Sequence, residues 1–194
     1  MPTLFMIGLG GRPKGRLIEQ HDMFFGVAEH LSELIPAINA HWPEVKNKWH
    51  IDAYRPVTAV DNYRIEWVED ATTDAESDLS DMKLYFINLG GYLAQDFEEY
   101  HHKLLIVAPS QAEAVKQAKQ SEFYRKYSFN DKDTPFNAAS HIDDKLLVDI
   151  DEIYNVNDLL SSGYLQITRH QDAPVEQDKL FIGYLSINKL KKLS

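Results

Sequence analysis

Two short patterns of histidine and carboxylate are the strongest signs of chemistry in this sequence. Glu19 and His21 stand two residues apart, and His50 and Asp52 repeat that spacing further along the chain. Side chains two residues apart in a β-strand point to the same face, so each pair is predicted to present an imidazole beside a carboxylate. Two such pairs brought together could hold a Zn, Mn or Fe ion, or could fix a histidine tautomer for acid-base chemistry.

The same two patterns recur later in the chain. Glu99 with His101, and His141 with Asp143, have the same spacing. A structural interpretation competes with the metal interpretation, because a histidine that bonds a neighbouring carboxylate or carbonyl also pins a strand in place. All eight residues are therefore candidate ligand or metal residues. No cofactor is predicted, and a divalent metal is kept as the alternative.

A basic, glycine-rich segment, LGGRPKGR, is a second kind of candidate. Gly10 and Gly11 would let backbone N–H groups approach an anion, and Arg12, Lys14 and Arg16 could neutralise it. The spacing matches neither the Walker phosphate loop nor the dinucleotide fingerprint. Because the two glycines recur later without the basic residues, the favoured interpretation is a tight strand exit in which the glycines adopt positive φ.

These patterns belong to a longer repeat. When Leu4 of LFMIGLGG is set on Leu84 of LYFINLGG, the offset is 84 − 4 = 80, and nine of 25 positions are identical, which indicates an internal duplication. Further on, the offset from His50 to His141 is 141 − 50 = 91, so the second copy is predicted to contain 91 − 80 = 11 extra residues. With that second offset, Tyr63 falls on Tyr154.

The predicted organisation has four parts. They are a first repeat at 4–68, an acidic linker at 69–83, a second repeat at 84–158 with its insertion near 121–140, and C-terminal strands at 159–194 that complete the fold. Each repeat is predicted to have the element order β-β-α-β-β. In the first copy, a helix is predicted from Glu29 to Trp42 and a hairpin turn at Asp61-Asn62. In the second copy, Ser110-x-x-Glu113 is a capping box that predicts the start of a helix. The fold class is α+β, with two tandem repeats related by a pseudo-twofold and helices packed on an antiparallel or mixed sheet.

Composition narrows the function classes. The 194 residues are 44% hydrophobic and 26% charged, which is typical of a globular protein, and the net charge of −10 disfavours nucleic-acid and anionic-membrane partners. The chain contains no cysteine, so thiol catalysis and thiolate metal sites are excluded. No apolar run approaches the roughly 20 residues of a membrane-spanning helix, and a cytoplasmic location is the expectation.

The combination of LGG, Glu-x-His and HID, followed by V-x-x-V-D-x-Y, resembles a small bacterial family known only as domain of unknown function 1543. The resemblance implies a two-copy member of that family and covers most of the chain apart from the linker and the C-terminal segment. The second copy departs from the first after Gly91, where YLAQDFEE replaces the basic stretch, so any role of the arginines belongs to the first copy alone. The resemblance implies no activity, cofactor or catalytic residue.

The sequence shows no complete catalytic signature. The leading interpretation is therefore a non-enzymatic module that binds a protein partner or a small ligand and self-associates as a homodimer. The alternative is a metal-dependent or His/Asp acid-base hydrolase that uses the Glu-x-His and HID faces.

Overall fold

The computed structural model describes residues 1–69, 81–129, 138–142, 153–170 and 175–193. Most of the predicted acidic linker, residues 130–137 of the predicted insertion, and Asp143 lie outside the described residues, as do the side chains of His141 and Ile142. The chain divides into two units, one formed by Met1–Leu79 with Leu159–Ser194 and the other by Ser80–Asp158. No described helix has the length and apolar character needed to cross a membrane.

The described part of the first unit contains seven strands and two short α-helices. In chain order these are β1 (Thr3–Gly11), β2 (Gln20–Ala28), α1 (Ile35–His41), β3 (His50–Pro56), β4 (Ala59–Val60), β5 (Tyr63–Val68), and then, after the second unit, strands Tyr164–Arg169 and Phe181–Ser186 and a helix at Ile187–Leu190. The C-terminal segment thus supplies strands to the first unit.

The second unit follows the same opening order. Its elements are β6 (Lys83–Tyr92), β7 (Glu99–Ala108), α2 (Gln111–Ala118), α3 (Glu122–Lys126), β8 (His141–Ile142) and β9 (Ile153–Asn155). Strand β6 pairs antiparallel with β7 on one side and with β8 and β9 on the other. The two C-terminal strands of the first unit are accordingly β10 (Tyr164–Arg169) and β11 (Phe181–Ser186), and its last helix is α4 (Ile187–Leu190).

Strand β1 is central to the four-stranded antiparallel sheet of the first unit, whose order is β11-β3-β1-β2. One face of β1 presents Ile7 and Leu9 to a core that includes Ile38 of α1 and Leu190 of α4, all fully buried. Burial of this apolar face is what fixes the strand register, since a slip of one residue would turn Ile7 and Leu9 to the opposite face. That opposite face carries Gly8 and Gly10, and the candidate functional residues lie there.

The expectation of a mixed α/β chain with antiparallel sheets is confirmed. Ser110 caps α2 by accepting a hydrogen bond from the backbone N–H of Glu113, as the capping-box pattern predicts. The predicted Asp61-Asn62 hairpin turn is also confirmed, because it joins β4 to β5. The first helix is shorter than predicted: a 3₁₀ turn precedes α1, and Pro36 occupies its first turn, where the missing proline N–H costs no hydrogen bond.

One predicted equivalence is wrong. Tyr154 does not take the place of Tyr63, because Tyr154 pairs with Phe86 in β9 whereas Tyr63 lies in β5 and pairs with Val60 and Arg169. Phe86 aligns with Met6 at the offset of 80, and Met6 pairs with Arg55. The counterpart of Arg55 is therefore Tyr154, and the offset is 154 − 55 = 99 rather than 91. The offset of 91 was based on short runs of identical residues, but the equivalence of positions in the fold follows from which strand residues pair with each other.

The end of α1 is tied to β2 by an ion pair. His41 Nε2 lies 2.8 Å from Asp22 Oδ2, and both side chains are partly exposed. The hydrogen bond with Asp22 raises the pKa of His41 above 6.5, against the lowering effect of partial burial. The folded state therefore binds the proton more tightly than the unfolded chain, so the pair stabilises the fold below the unfolded pKa and loses that contribution as pH rises through the folded pKa.

Asp22→Asn is expected to lower the free energy of unfolding by about 0.5 kcal/mol or less near pH 5.5, because a partly exposed pair is screened by solvent. Near pH 8.5, where His41 is neutral, the variant and the wild type should be equally stable. Urea unfolding followed by tryptophan fluorescence at both pH values measures the difference. A larger destabilisation at the higher pH would contradict this account.

Candidate functional site

Four of the predicted residues converge at one end of the first unit: Glu19, His21, His50 and Asp52, here called the His–carboxylate cluster. His21 and His50 sit on the two strands that flank β1, and each pairs with Gly10 in register. Directly paired residues of antiparallel strands point to the same face of a sheet, so the two imidazoles share the face opposite the core. Glu19 immediately precedes β2.

Asp52 enters the cluster through a β-bulge. The pairing of β1 with β3 runs from Leu9 with Ile51 to Gly8 with Ala53, which leaves Asp52 as the extra residue of β3. A bulge of this kind bends the strand and redirects a side chain. The result is that the Asp52 carboxylate stays beside Gly10 and His50 instead of lying opposite Gly8.

Gly10 provides the space that the cluster occupies. A Cβ atom at this position would lie 2.3 Å from His50 Nε2 and 2.6 Å from Asp52 Oδ2, both far inside van der Waals contact. The predicted role of Gly10 and Gly11 as a positive-φ strand exit is wrong, because both lie inside β1 and neither is among the residues with positive φ. Gly11 is needed for a different close approach, with a Cβ position 3.1 Å from the buried Val45.

The cluster forms a ring in which imidazoles and carboxylates alternate. His50 Nε2 lies 3.1 Å from Asp52 Oδ1 and 3.5 Å from Glu19 Oε1. His21 Nε2 lies 3.5 Å from Asp52 Oδ2 and 3.7 Å from Glu19 Oε2. Each imidazole nitrogen therefore faces two carboxylates, through a different oxygen of each.

The ring has more acceptors than protons. An ionised carboxylate can only accept, and each Nε2 carries at most one hydrogen. That hydrogen can form a good hydrogen bond with one carboxylate, as the 3.1 Å distance between His50 Nε2 and Asp52 Oδ1 shows. The longer contact of the same nitrogen, with Glu19, is then left without a hydrogen. Asp52 Oδ2 is buried and has no hydrogen-bond partner among the described residues. The protons of the two imidazoles therefore cannot satisfy every carboxylate oxygen of the cluster.

Exposure of the cluster is uneven. The His50 side chain is 8% exposed, whereas the side chains of His21 and Glu19 are 63% and 42% exposed. The His50 imidazole lies on the sheet and packs on one side against Tyr184 of β11. The two ring centroids are 4.3 Å apart. A small ion can thus reach the cluster past His21, while His50 is a fixed support.

Tyr184 is a residue that sequence reasoning missed. It lies where β11 passes the bulged part of β3, since the pairing of these strands jumps from Ile182 with Ala53 to Leu185 with Ile51. Gly183, at φ +131°, adopts the conformation that this jump requires and that side chains disfavour. The only available signal was a glycine inside an apolar strand, and nothing in it specified β3 as the partner.

Among the described residues, no group of three or more His, Asp or Glu side chains is arranged so that it could hold a metal ion. The geometry above gives the reason: the two imidazoles contact opposite oxygens of each carboxylate, so the donors enclose a shared space without yet pointing at one point. Rotation of the two carboxylates would be needed to bring one oxygen of each toward both Nε2 atoms.

The other candidate residues are placed as follows. Arg12, Lys14 and Arg16 are exposed in the loop that joins β1 to β2. In the second unit, Gly90 pairs with both His101 and His141, as Gly10 does with its two histidines, and Glu99 begins β7. The His101 side chain is exposed, and the arrangement around His141 and Asp143 cannot be followed in the described residues.

Gly10→Ala is expected to displace His50 and to destabilise the protein by about 1–3 kcal/mol, the usual range for overpacking a filled site. Gly8→Ala, on the same face of the same strand, is the matched control, because its Cβ would approach no atom closer than 3.7 Å. Urea unfolding gives the stabilities, and ¹⁵N-resolved imidazole spectra report His50. Equal effects of the two substitutions would contradict the close-approach argument.

Comparisons with known proteins find a family whose model matches part of the chain, and they assign no activity. Residues 16–67 match the sequence profile described as Domain of Unknown Function (DUF1543), which confirms the resemblance drawn from the motifs. The match covers His21, His50 and Asp52, and the presence of a second copy remains a prediction. The chain has no significant match among curated proteins.

A solved structure shares the fold. The chain is similar to the crystal structure of a protein Il1583 from Idiomarina loihiensis, with a TM-score of 0.59 and 23% sequence identity over 96% of this chain and 98% of that chain. At this identity the similarity supports the fold alone.

Proposed function

We propose that this member of the DUF1543 family is a small-ligand-binding protein whose first unit binds a divalent transition-metal ion at the His–carboxylate cluster. The observation that supports the proposal is the convergence of two imidazole nitrogens on two carboxylates, with four nitrogen–oxygen distances of 3.1–3.7 Å. Ligands bonded to one tetrahedral Zn²⁺ at about 2.1 Å lie about 3.4 Å apart, which falls inside that range.

The donor set fits the class of ion. Two imidazoles with two carboxylates suit Zn²⁺, Mn²⁺ or Fe²⁺ better than Ca²⁺ or Mg²⁺, which prefer oxygen ligands. A divalent cation would neutralise both carboxylates and would satisfy the oxygens that the two imidazole protons leave without a partner. His50 would act as the fixed ligand, and Glu19 and His21, which are more exposed, would adjust around the ion.

The predicted duplication gives a context for the proposal. The equivalent pairings of Gly10 and Gly90, each with a histidine on both neighbouring strands, are what a duplicated unit would retain. The proposal is nevertheless limited to the first unit, whose side chains are described. The predictions of a protein partner, a homodimer and a cytoplasmic location stay predictions.

The hydrolase alternative depends on the same four side chains. It requires that a metal ion or a histidine also activate water toward a substrate, and the geometry of the described side chains does not favour that further step. Metal binding is therefore the function to test first, and turnover of model phosphate and carboxylate esters by the metal-loaded protein would be a separate experiment.

The metal test uses variants that spare the buried His50. Wild-type protein, freed of metal by a chelator, should bind Zn²⁺ or Co²⁺ in calorimetric titrations, and His21→Ala and Asp52→Asn should each weaken binding at this site at least tenfold because each removes a ligand. His30→Ala is the matched control: His30 is an exposed histidine of the same unit outside the cluster, and its loss should leave the affinity within twofold.

Circular dichroism would verify that each variant is folded before titration. Absence of Zn²⁺, Co²⁺, Mn²⁺ and Ni²⁺ binding by the wild type would refute the proposal. So would binding that is weakened no more by His21→Ala and Asp52→Asn than by the control.

A further inference from the structure

The loop that joins β1 to β2 begins and ends at the His–carboxylate cluster. Its closing pair is Gly11 with Gln20, next to the pair of Gly10 with His21, and Glu19 is its last residue. Gly15, at φ +86° with open space around it, lies at its turn.

The loop concentrates positive charge in a chain whose net charge is −10. Residues 12–18 contain Arg12, Lys14 and Arg16 and no acidic residue. All three side chains are exposed, and none has an ion pair with another described residue. Three exposed cations close together in sequence attract an anion, and the arginine fork suits the oxygens of phosphate in particular.

The basic segment begins beside the cluster. A Cβ at Gly10 would point to His50 and Asp52, whereas a Cβ at Gly11 would point to Val45 in the core. Gly11 ends β1, and Arg12 is the first residue of the loop. Arg12 therefore lies two positions along the chain from the glycine that borders the cluster.

We propose that the ligand of this site is a phosphate-bearing small molecule held jointly by the metal ion and by Arg12, Lys14 and Arg16. This inference rests on the proposed metal site and adds the chemical class of its ligand. The two carboxylates balance the charge of a divalent ion, and a phosphate that bonds the ion as a fifth ligand would leave its remaining negative oxygens for the basic loop. The corresponding loop of the second unit reads YLAQDFEE and lacks these cations, so the phosphate site belongs to the first unit alone.

The test titrates inorganic phosphate into the full-length protein, with and without bound Co²⁺, and follows heat and the visible absorption of Co²⁺. Phosphate should bind the Co²⁺-loaded wild type at least tenfold more tightly than the metal-free protein, and the Co²⁺ spectrum should change. The triple variant Arg12→Ala/Lys14→Ala/Arg16→Ala should lose at least tenfold in phosphate affinity while its Co²⁺ affinity stays within twofold.

A control variant separates a specific site from general electrostatics. Lys46→Ala/Lys48→Ala/Arg64→Ala removes three exposed positive charges from the same unit but outside the loop, and it should retain phosphate binding. Equal weakening in the two triple variants would overturn the inference.

The two proposals fail in distinguishable ways. If Co²⁺ binds but phosphate does not, the metal site stands and the phosphate inference falls. If Co²⁺ does not bind the wild type, the metal site falls, and phosphate binding that only the loop variant loses would overturn the joint site in favour of an anion site on the loop alone. Tighter binding to phosphatidic acid vesicles than to phosphatidylcholine vesicles would identify a lipid headgroup and would contradict a soluble ligand.

Discussion

The missing side chain at Gly10 is the constraint on which the candidate site depends. His50 and Asp52 occupy the position that any Cβ at this residue would take. The site can form there because the opposite face of β1 is fixed independently, by Ile7 and Leu9 in the core. Strand β1 therefore has two separate roles: its apolar face determines the register, and its glycine face leaves room for polar side chains from both neighbouring strands.

Electrostatic balance explains why such a cluster suggests binding rather than simple strand pinning. A histidine that only holds a strand in place needs one imidazole proton and one acceptor, as in the pair of His41 with Asp22 at 2.8 Å. The cluster instead sets two imidazoles against two carboxylates at mostly longer distances, with one buried carboxylate oxygen lacking a hydrogen-bond partner among the described residues. Burying unsatisfied acceptors costs free energy, and that cost is offset when a cation binds among them.

Much of the first unit could be predicted from local sequence. Alternation in strands indicated that Glu19 and His21 would share a face, and the HID motif indicated the same for His50 and Asp52; both pairs meet in the structure. The predicted role of the glycines was wrong because the residues that pack on them are distant in sequence. The neighbouring residues alone do not distinguish a glycine in a turn from a glycine that makes room for a side chain. The bulge at Asp52 is a feature of how β3 pairs with β1. The contact of Tyr184 with His50 depends on β3 pairing with β11, which lies about 130 residues further along the chain and is governed by tertiary packing.

The most direct measurement of the central claim is anomalous X-ray diffraction at the zinc edge from crystals grown with Zn²⁺. The account predicts an anomalous peak within about 2.3 Å of Nε2 of both His21 and His50, with an oxygen of Glu19 and of Asp52 turned toward it. A peak elsewhere on the chain, or no peak beside a cluster that keeps its alternating ring, would contradict it.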